Sequence, residues 1–289
     1  MSEPIGPAVA RERLRARLRD LREARHLSPE EAAGAVHWPP STVREMEAGS
    51  RAVHPVEVGA LLAAYGVTDN DEAATLMALA HRARTPLWWT VNGFSDAFQH
   101  FSSYEAEAER IVVYQPLLVP GLLQTQEYAT AATAAILGAE PEEAAVGARV
   151  GIRVERQQML AERIARGTAP EILVVLEEAV LSRPIGGRAV LDAQLDHLVA
   201  QAQQPHLTLV VMPTGTPGHV GLSGVFELLE FADAPPLVFI ESLTDDYIVR
   251  DAPATTRYRD NAEALREIGK SGADAVEMIE RAKNSLTGT

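Results

Sequence analysis

Ser41, Thr42, Arg44 and Glu45 place two hydroxyls, a guanidinium and a carboxylate within five residues. These groups hydrogen-bond to base edges: arginine to guanine, a carboxylate to cytosine, small hydroxyls to either. At the N-terminal end of a helix they suit a major-groove reader, because bulk there would hold the backbone away from the bases. Arg51, together with helix N-termini at Ser28 and Pro40, is a candidate phosphate contact.

The segment Ser28–Gly49 supplies the elements that would position these groups. Ser28 is a natural N-cap, Pro29 fits the first helical position and Glu31 stands where a capping-box acid answers the cap. Ala32, Ala33 and Val36 give a small apolar face that lets another helix approach closely. His37-Trp38-Pro39-Pro40 cannot continue that helix, since each proline lacks an N–H and disfavours helical geometry before it. A second helix then starts at Pro40 or Ser41, with Val43 and Met46 inward. Ser41, Thr42, Arg44 and Glu45 are left on its outer face, and Gly49 ends it.

The flanks are helical as well. Leu14, Leu18 and Leu21 form an apolar stripe in an arginine-rich helix, and His54-Pro55 opens another with Val58, Leu61, Leu62 and Tyr65 spaced for burial. Asp69–Glu72 caps a fifth, Ala73–Arg82. On this layout, residues 11–82 resemble the Xre family of phage-repressor-like helix-turn-helix DNA-binding domains, in the variant common among actinobacterial regulators. In that family an arginine late in the first helix pairs with the glutamate just before the terminal Ala/Asn-Gly of the reading helix. The resemblance therefore implies a structural ion pair between Arg22 and Glu47, rather than two solvated charges. Pro39-Pro40 and Glu45 depart from the commoner Ser/Thr and Arg, which leaves the operator sequence open.

Composition sets limits. A chain of 289 residues that is 46% hydrophobic supports two domains with separate cores, expected at 1–84 and 85–289 with the boundary near Arg84-Thr85-Pro86. There is no cysteine, which excludes disulfides and thiolate metal sites; no metal or cofactor is expected. No apolar run approaches the roughly 20 residues of a membrane span, and the N-terminus lacks a signal-peptide core, so the expected location is cytoplasmic. The net charge of −14 is unevenly spread. Residues 11–55 carry nine arginines against seven acids, whereas residues 87–289 carry 15 bases against 28 acids. An acidic second domain would repel a duplex unless held clear of it, and acids within the reading helix reduce affinity per protomer. The expected partners are a double-stranded DNA operator with an inverted repeat and a second copy of the chain.

The fold class expected overall is α+β: an all-α five-helix repressor-type domain, then an α+β domain with a mixed sheet covered by helices. In the second half, helices are expected at Glu142–Arg166, Arg188–Gln203 and Ala254–Arg281, and strands at Ile172–Leu176, Leu207–Met212, Val225–Phe231 and Leu237–Glu241. The helix between the first two strands is long enough for a parallel crossover, and Ala234-Pro235-Pro236 joins the last two as an antiparallel hairpin. Before them, Tyr114–Tyr128 reads as a proline-bounded apolar loop running into a helix capped near Thr125. Trp88, Trp89, Phe94, Phe98, Phe101 and Tyr104 follow the linker closely, and two roles are open for them: packing between domains, or the lining of a ligand pocket that includes His219.

Tyr104–Ala108, Gln115–Tyr128, Arg153–Gln157, Glu177–Leu181, Leu207–Pro213 and Phe226–Leu243 together resemble a C-terminal domain of uncharacterised function that accompanies this helix-turn-helix in actinobacteria. The resemblance covers most of 87–283. It implies an antitoxin-like transcriptional regulator whose second domain senses a small molecule or binds a partner protein; such proteins are often encoded beside a small acidic partner.

Catalytic signatures are sparse. Among eight histidines no pair has helical metal spacing, and HExxH, G-x-S-x-G and phosphate-cradling loops are missing from the sequence. The Gly-rich segment Pro213–Gly224 offers His219 and Ser223, which with Asp245 could be cast as a triad; the competing reading is a flexible strand connection. Glu177-Glu178 and Asp245-Asp246 are adjacent pairs, which in a strand point to opposite faces. The sequence reads as a regulator and not as an enzyme.

Overall fold

A computed structural model describes residues 6–49, 51–85, 95–138, 141–242 and 244–287. Apart from the 231–235 loop, two compact units divide the chain near residue 90.

The first unit holds α1 (Pro7–Glu23), α2 (Pro29–Ala35), α3 (Thr42–Ala48), α4 (Pro55–Ala64) and α5 (Asn70–Ala83). Local chemistry fixes where these helices begin. Proline occupies the first turn of α1, α2 and α4, where its missing N–H costs nothing. Asp69 caps α5 by accepting from the Asp71 and Glu72 N–H groups at 2.9 and 3.3 Å. Leu14, Leu18, Ala32, Ala33, Val43, Met46, Leu61, Tyr65 and Leu76 meet in one apolar core. Each large side chain so buried contributes about 1.5–3 kcal/mol.

The second unit builds a seven-stranded sheet in the order β6-β5-β4-β1-β2-β3-β7. Its elements are α6 (Asp96–Glu107), β1 (Arg110–Gln115), α7 (Gln126–Leu137), α8 (Glu143–Ala165), β2 (Glu171–Glu177), α9 (Arg188–Gln201), β3 (Leu207–Met212), β4 (Phe226–Glu230), β5 (Leu237–Ile240), β6 (Tyr247–Val249), α10 (Ala252–Ile268), β7 (Lys270–Ser271) and α11 (Gly272–Thr287). β1, β2 and β3 run parallel, with α9 making the crossover between β2 and β3, while β4, β5, β6 and β7 pair antiparallel. The mixed sheet, the crossover and the β4–β5 pairing agree with the sequence expectation.

Three elements depart from it. The stretch expected to open the unit with helix and loop contains β1, the central strand, whose four middle residues are buried. A strand enclosed on both faces shows no alternation, so its period gave no signal. Short β6 pairs with β5 beyond the expected strands. The helix expected over Ala254–Arg281 is two helices, α10 and α11, parted at Gly269 by β7. A Cβ at Gly269 would stand 2.2 Å from Val210 Cγ1 and 2.9 Å from Met212 Sδ, so only glycine lets the chain press against β3 there and pair Lys270-Ser271 with its edge.

The two sheet faces bury different partners. Val112, Tyr114, Leu173, Val175, Phe226, Leu228 and Val238 pack with Ala262 and Leu265 of α10. On the other face, Phe239 of β5 is stacked by Phe101 of α6, ring centroids 4.3 Å apart.

Candidate nucleic-acid interface

The α2–turn–α3 segment is held by hydrogen bonds that its own sequence supplies. Ser28 Oγ accepts from the Glu31 N–H at 3.1 Å, and Glu31 Oε2 accepts from the Ser28 N–H at 2.8 Å. The Ser28 N–H donation, with the Ser28 hydroxyl adding to it, holds the Glu31 carboxyl below its ordinary range. α2 ends as His37 enters the left-handed region at φ 59°, with the Trp38 N–H returning to Ala33 O at 2.9 Å. Gly49 closes α3 at φ 85°, where glycine is free of the Cβ penalty.

Helical spacing then decides which side chains of α3 face outward. Thr42, Val43, Met46 and Glu47 are buried, whereas Ser41 and Arg44 are exposed and Glu45 is half-buried. Thr42 is therefore a correction: expected outside, it lies on the inward stripe one turn before Met46. Pro40 is exposed at the start of the turn into α3, and Pro39 O accepts from the Thr42 N–H at 3.0 Å.

Arg44 contacts Glu30 of α2 in an ion pair whose side chains are 65% and 40% exposed. Such pairs are worth about 0–1 kcal/mol, so exchanging Glu30 for another acceptor is cheap. Arg51 Nη2 donates to Glu57 Oε1 at 2.5 Å, while its backbone N–H donates to Glu45 O at 3.3 Å.

Behind this face Arg22 and Glu47 form a forked pair, Nε to Oε1 at 2.7 Å and Nη2 to Oε2 at 2.8 Å. Arg22 Nη1 also donates to Leu27 O at 2.6 Å, and Arg19 Nη2 donates to Glu47 O at 2.9 Å. The end of α1, the start of α2 and the end of α3 are thus tied at one point. The hydrogen bonds to Glu47 hold the Arg22 guanidinium above its ordinary pKa. Burial pushes the neighbouring Tyr65 hydroxyl up to about 12, with the Glu47 charge adding to the effect.

In the second unit the expected pocket residues separate. Trp88, Trp89 and Phe94 lie outside the described residues. Phe98 packs against Phe101 and Phe239 at 6.4 and 6.1 Å, and Tyr104 is buried with Arg250 5.8 Å from its ring centre. His219 stands on the opposite side of the sheet. Its Nε2 is 3.4 Å from Glu177 Oε1, the same oxygen that accepts from the Tyr114 hydroxyl at 2.8 Å, and Tyr114 belongs to the core under α10. His219 therefore cannot share a pocket with Phe98, because strand alternation puts Tyr114 and Phe239 on different faces. The imagined triad separates too: the carboxylate beside His219 is Glu177, and Ser223 is exposed.

Sequence reasoning missed a charged group under α8. Arg156 Nε and Nη2 donate to the two Glu105 carboxylate oxygens at 2.6 and 2.5 Å, and Arg153, Glu227 and Glu241 lie close enough to interact electrostatically. Arg153, Arg156 and Gln157, three and four residues apart, already place two arginines on one helical face; that spacing was the available signal.

A five-helix unit whose third helix turns an exposed polar edge outward is a helix-turn-helix protein. Residues 13–76 match the family model described as a helix-turn-helix domain. Residues 98–281 match the model described as domain of unknown function (DUF5753), and the chain belongs to that family. No curated protein and no solved structure matches the chain. Among the described residues no helix is long and apolar enough to cross a membrane.

Proposed function

We propose that the protein is a sequence-specific, DNA-binding transcriptional regulator that acts as a cytoplasmic homodimer on an inverted-repeat operator. Residues 1–84 bind DNA and residues 85–289 regulate; the chain has no enzymatic role. The observation that carries this reading is the outward edge of α3. Ser41, Arg44 and Glu45 project from a helix whose inner side is anchored by Val43, Met46 and the Arg22–Glu47 pair. In the docked state Arg44 leaves Glu30 for a base edge, Arg51 shifts from Glu57 toward phosphate, and the capped start of α2 at Ser28 approaches the backbone of the duplex. Two copies with their third helices about 34 Å apart would read half-sites one turn apart.

Phe98 and Tyr104 pack against neighbouring rings and arginines, which favours a structural role for both. Regulation then falls to another surface of the second unit, engaged by a small effector or a small protein partner, as in an antitoxin-like regulator.

The test starts from duplexes selected out of a random library by the full-length chain. Arg44→Ala should weaken the selected duplex by about 1–3 kcal/mol while leaving a scrambled duplex nearly unchanged. Failure to enrich any sequence, or equal losses on both duplexes, would refute base reading by α3. Sedimentation of the full-length chain at micromolar concentration should give a dimer, and a monomer would overturn the assembly.

A further inference from the structure

The two arginines of the proposed DNA face both rest on carboxylates in this structure. Arg44 of α3 pairs with Glu30 in the first turn of α2, and Arg51 Nη2 donates to Glu57 Oε1 in the first turn of α4 at 2.5 Å. The charge around them is acidic. Residues 28–57 carry only these two arginines, against Glu30, Glu31, Glu45, Glu47 and Glu57. Glu47 is taken up by Arg22 from α1, which still leaves four acids against two bases across α2, α3 and the start of α4. Arg15 and Arg17 of α1 are likewise spent, on Glu12 and Glu72.

Glu30 and Glu57 differ in what else they hold. Glu57 Oε2 accepts from the His54 N–H at 2.8 Å, so that residue also caps α4. Among the described residues Arg44 is the one charged group paired with Glu30. The Glu30 side chain is 40% exposed and stands two residues after the Ser28 cap, at the end of α2 that approaches the duplex in the docked state. If Arg44 exchanged Glu30 for a phosphate, two anions would stand side by side on one guanidinium. Exchange for guanine avoids this, because O6 and N7 are neutral acceptors that take two N–H groups at once. A carboxylate in this place penalises a phosphate contact and spares a guanine contact.

We propose that Glu30 is a specificity-determining residue of the DNA interface, withholding Arg44 from phosphates and releasing it to a guanine edge. The proposal rests on base reading by α3, given above, and adds what keeps that helix from settling on any duplex it meets. On a non-operator duplex Arg44 stays with Glu30 and adds nothing to affinity. On the operator the pair opens. Opening an exposed pair weakens binding by at most about fivefold, whereas one phosphate contact at about 0.1 M salt strengthens it about eightfold. Removing the Glu30 charge therefore helps non-operator DNA more than the operator, and selectivity falls by about threefold.

The experiment titrates the full-length chain against its library-selected duplex and a scrambled one, by fluorescence anisotropy at about 50 to 200 mM salt. Glu30→Gln should bind the scrambled duplex more tightly and steepen its salt dependence by about one phosphate, a change of about 0.9 in the log–log slope. The selected duplex should gain less, so that the ratio of the two affinities falls by about threefold. In an Arg44→Ala background, Glu30→Gln should leave the ratio unchanged, because the arginine through which it acts is gone. Glutamine matches glutamate in shape, and melting curves check that each variant is folded. An unchanged ratio with Arg44 present, or the same fall in ratio without Arg44, would overturn the proposal; Glu30 would then be a plain surface charge. Either result leaves base reading by α3 intact so long as Arg44→Ala itself loses selectivity. A chain that enriches no duplex, or an Arg44→Ala variant that loses equally on both, refutes that reading and the proposal with it.

Discussion

Glu47→Ala should be among the most damaging single changes in the first unit, although the residue lies on a short surface helix. Arg22 and Glu47 expose only 8% and 11% of their side chains, and their forked contact is backed by Arg22 to Leu27 O and Arg19 to Glu47 O. Removing the carboxylate leaves the Arg22 guanidinium in a largely dry position, with Leu27 O at 2.6 Å and the more exposed Glu23 carboxylate at 3.4 Å as its remaining acceptors. Breaking one side of a buried pair costs about 3–5 kcal/mol, and the residual exposure here argues for the lower end, about 3 kcal/mol. Glu47→Gln keeps the shape and one acceptor and should cost less. Arg22→Met combined with Glu47→Leu removes both charges and should recover about 1–3 kcal/mol relative to the sum of the single changes. Hydrogen exchange read by mass spectrometry separates the two units: a loss of about 3 kcal/mol accelerates the most protected amides of α1 and α3 by roughly a hundredfold and leaves β1–β3 unchanged. A penalty below about 0.5 kcal/mol would mean the pair behaves as an ordinary surface ion pair, and the reasoning would be wrong.

Three further outcomes follow from the same structure. Gly269→Ala forces a Cβ against Val210 and Met212 and should destabilise the second unit by about 1–3 kcal/mol, seen as a lower urea midpoint; an unchanged midpoint would show that β7 does not depend on the close approach. Glu227 has its carboxyl raised to about 8 in the folded chain, against an ordinary value near 4.5, so its protonated form favours folding: that stability is fully present below about 4.5 and is lost as pH rises through 8. Between those limits this one group tilts stability downward by about 1.4 kcal/mol per pH unit, and Glu227→Gln should flatten the slope measured by urea titration at several pH values. Ser28→Ala removes the cap of α2 and should cost about 1 kcal/mol, visible as faster exchange at the Glu31 amide; no change there would discount the capping box.

Local signals carried much of the architecture. The caps at Ser28, Asp69, Thr125 and Asp251 and the prolines opening α2 and α4 act within three residues, so helix starts can be read without knowing the fold. β2 and β3 were legible as apolar runs on either side of a helix long enough to cross over. The outward set on α3 was legible too, except for Thr42, which stands four residues before Met46 and so shares its inward stripe.

By itself, then, the sequence determined the helix-turn-helix, the α+β class and the outer edge of α3, because helix periodicity, capping and turn chemistry are short-range. Tertiary structure decided what depends on distant partners. β1 became the central strand through pairing with β2 and β4, about 60 and 115 residues away in the chain. The last helix broke because Gly269 meets β3, and Glu227 acquired its unusual acidity because α6 and α8 close over that face of the sheet. A lone glutamate in a strand reads as solvent-facing until the fold shows what covers it; burial and electrostatic coupling are sums over neighbours that the linear chain does not adjoin.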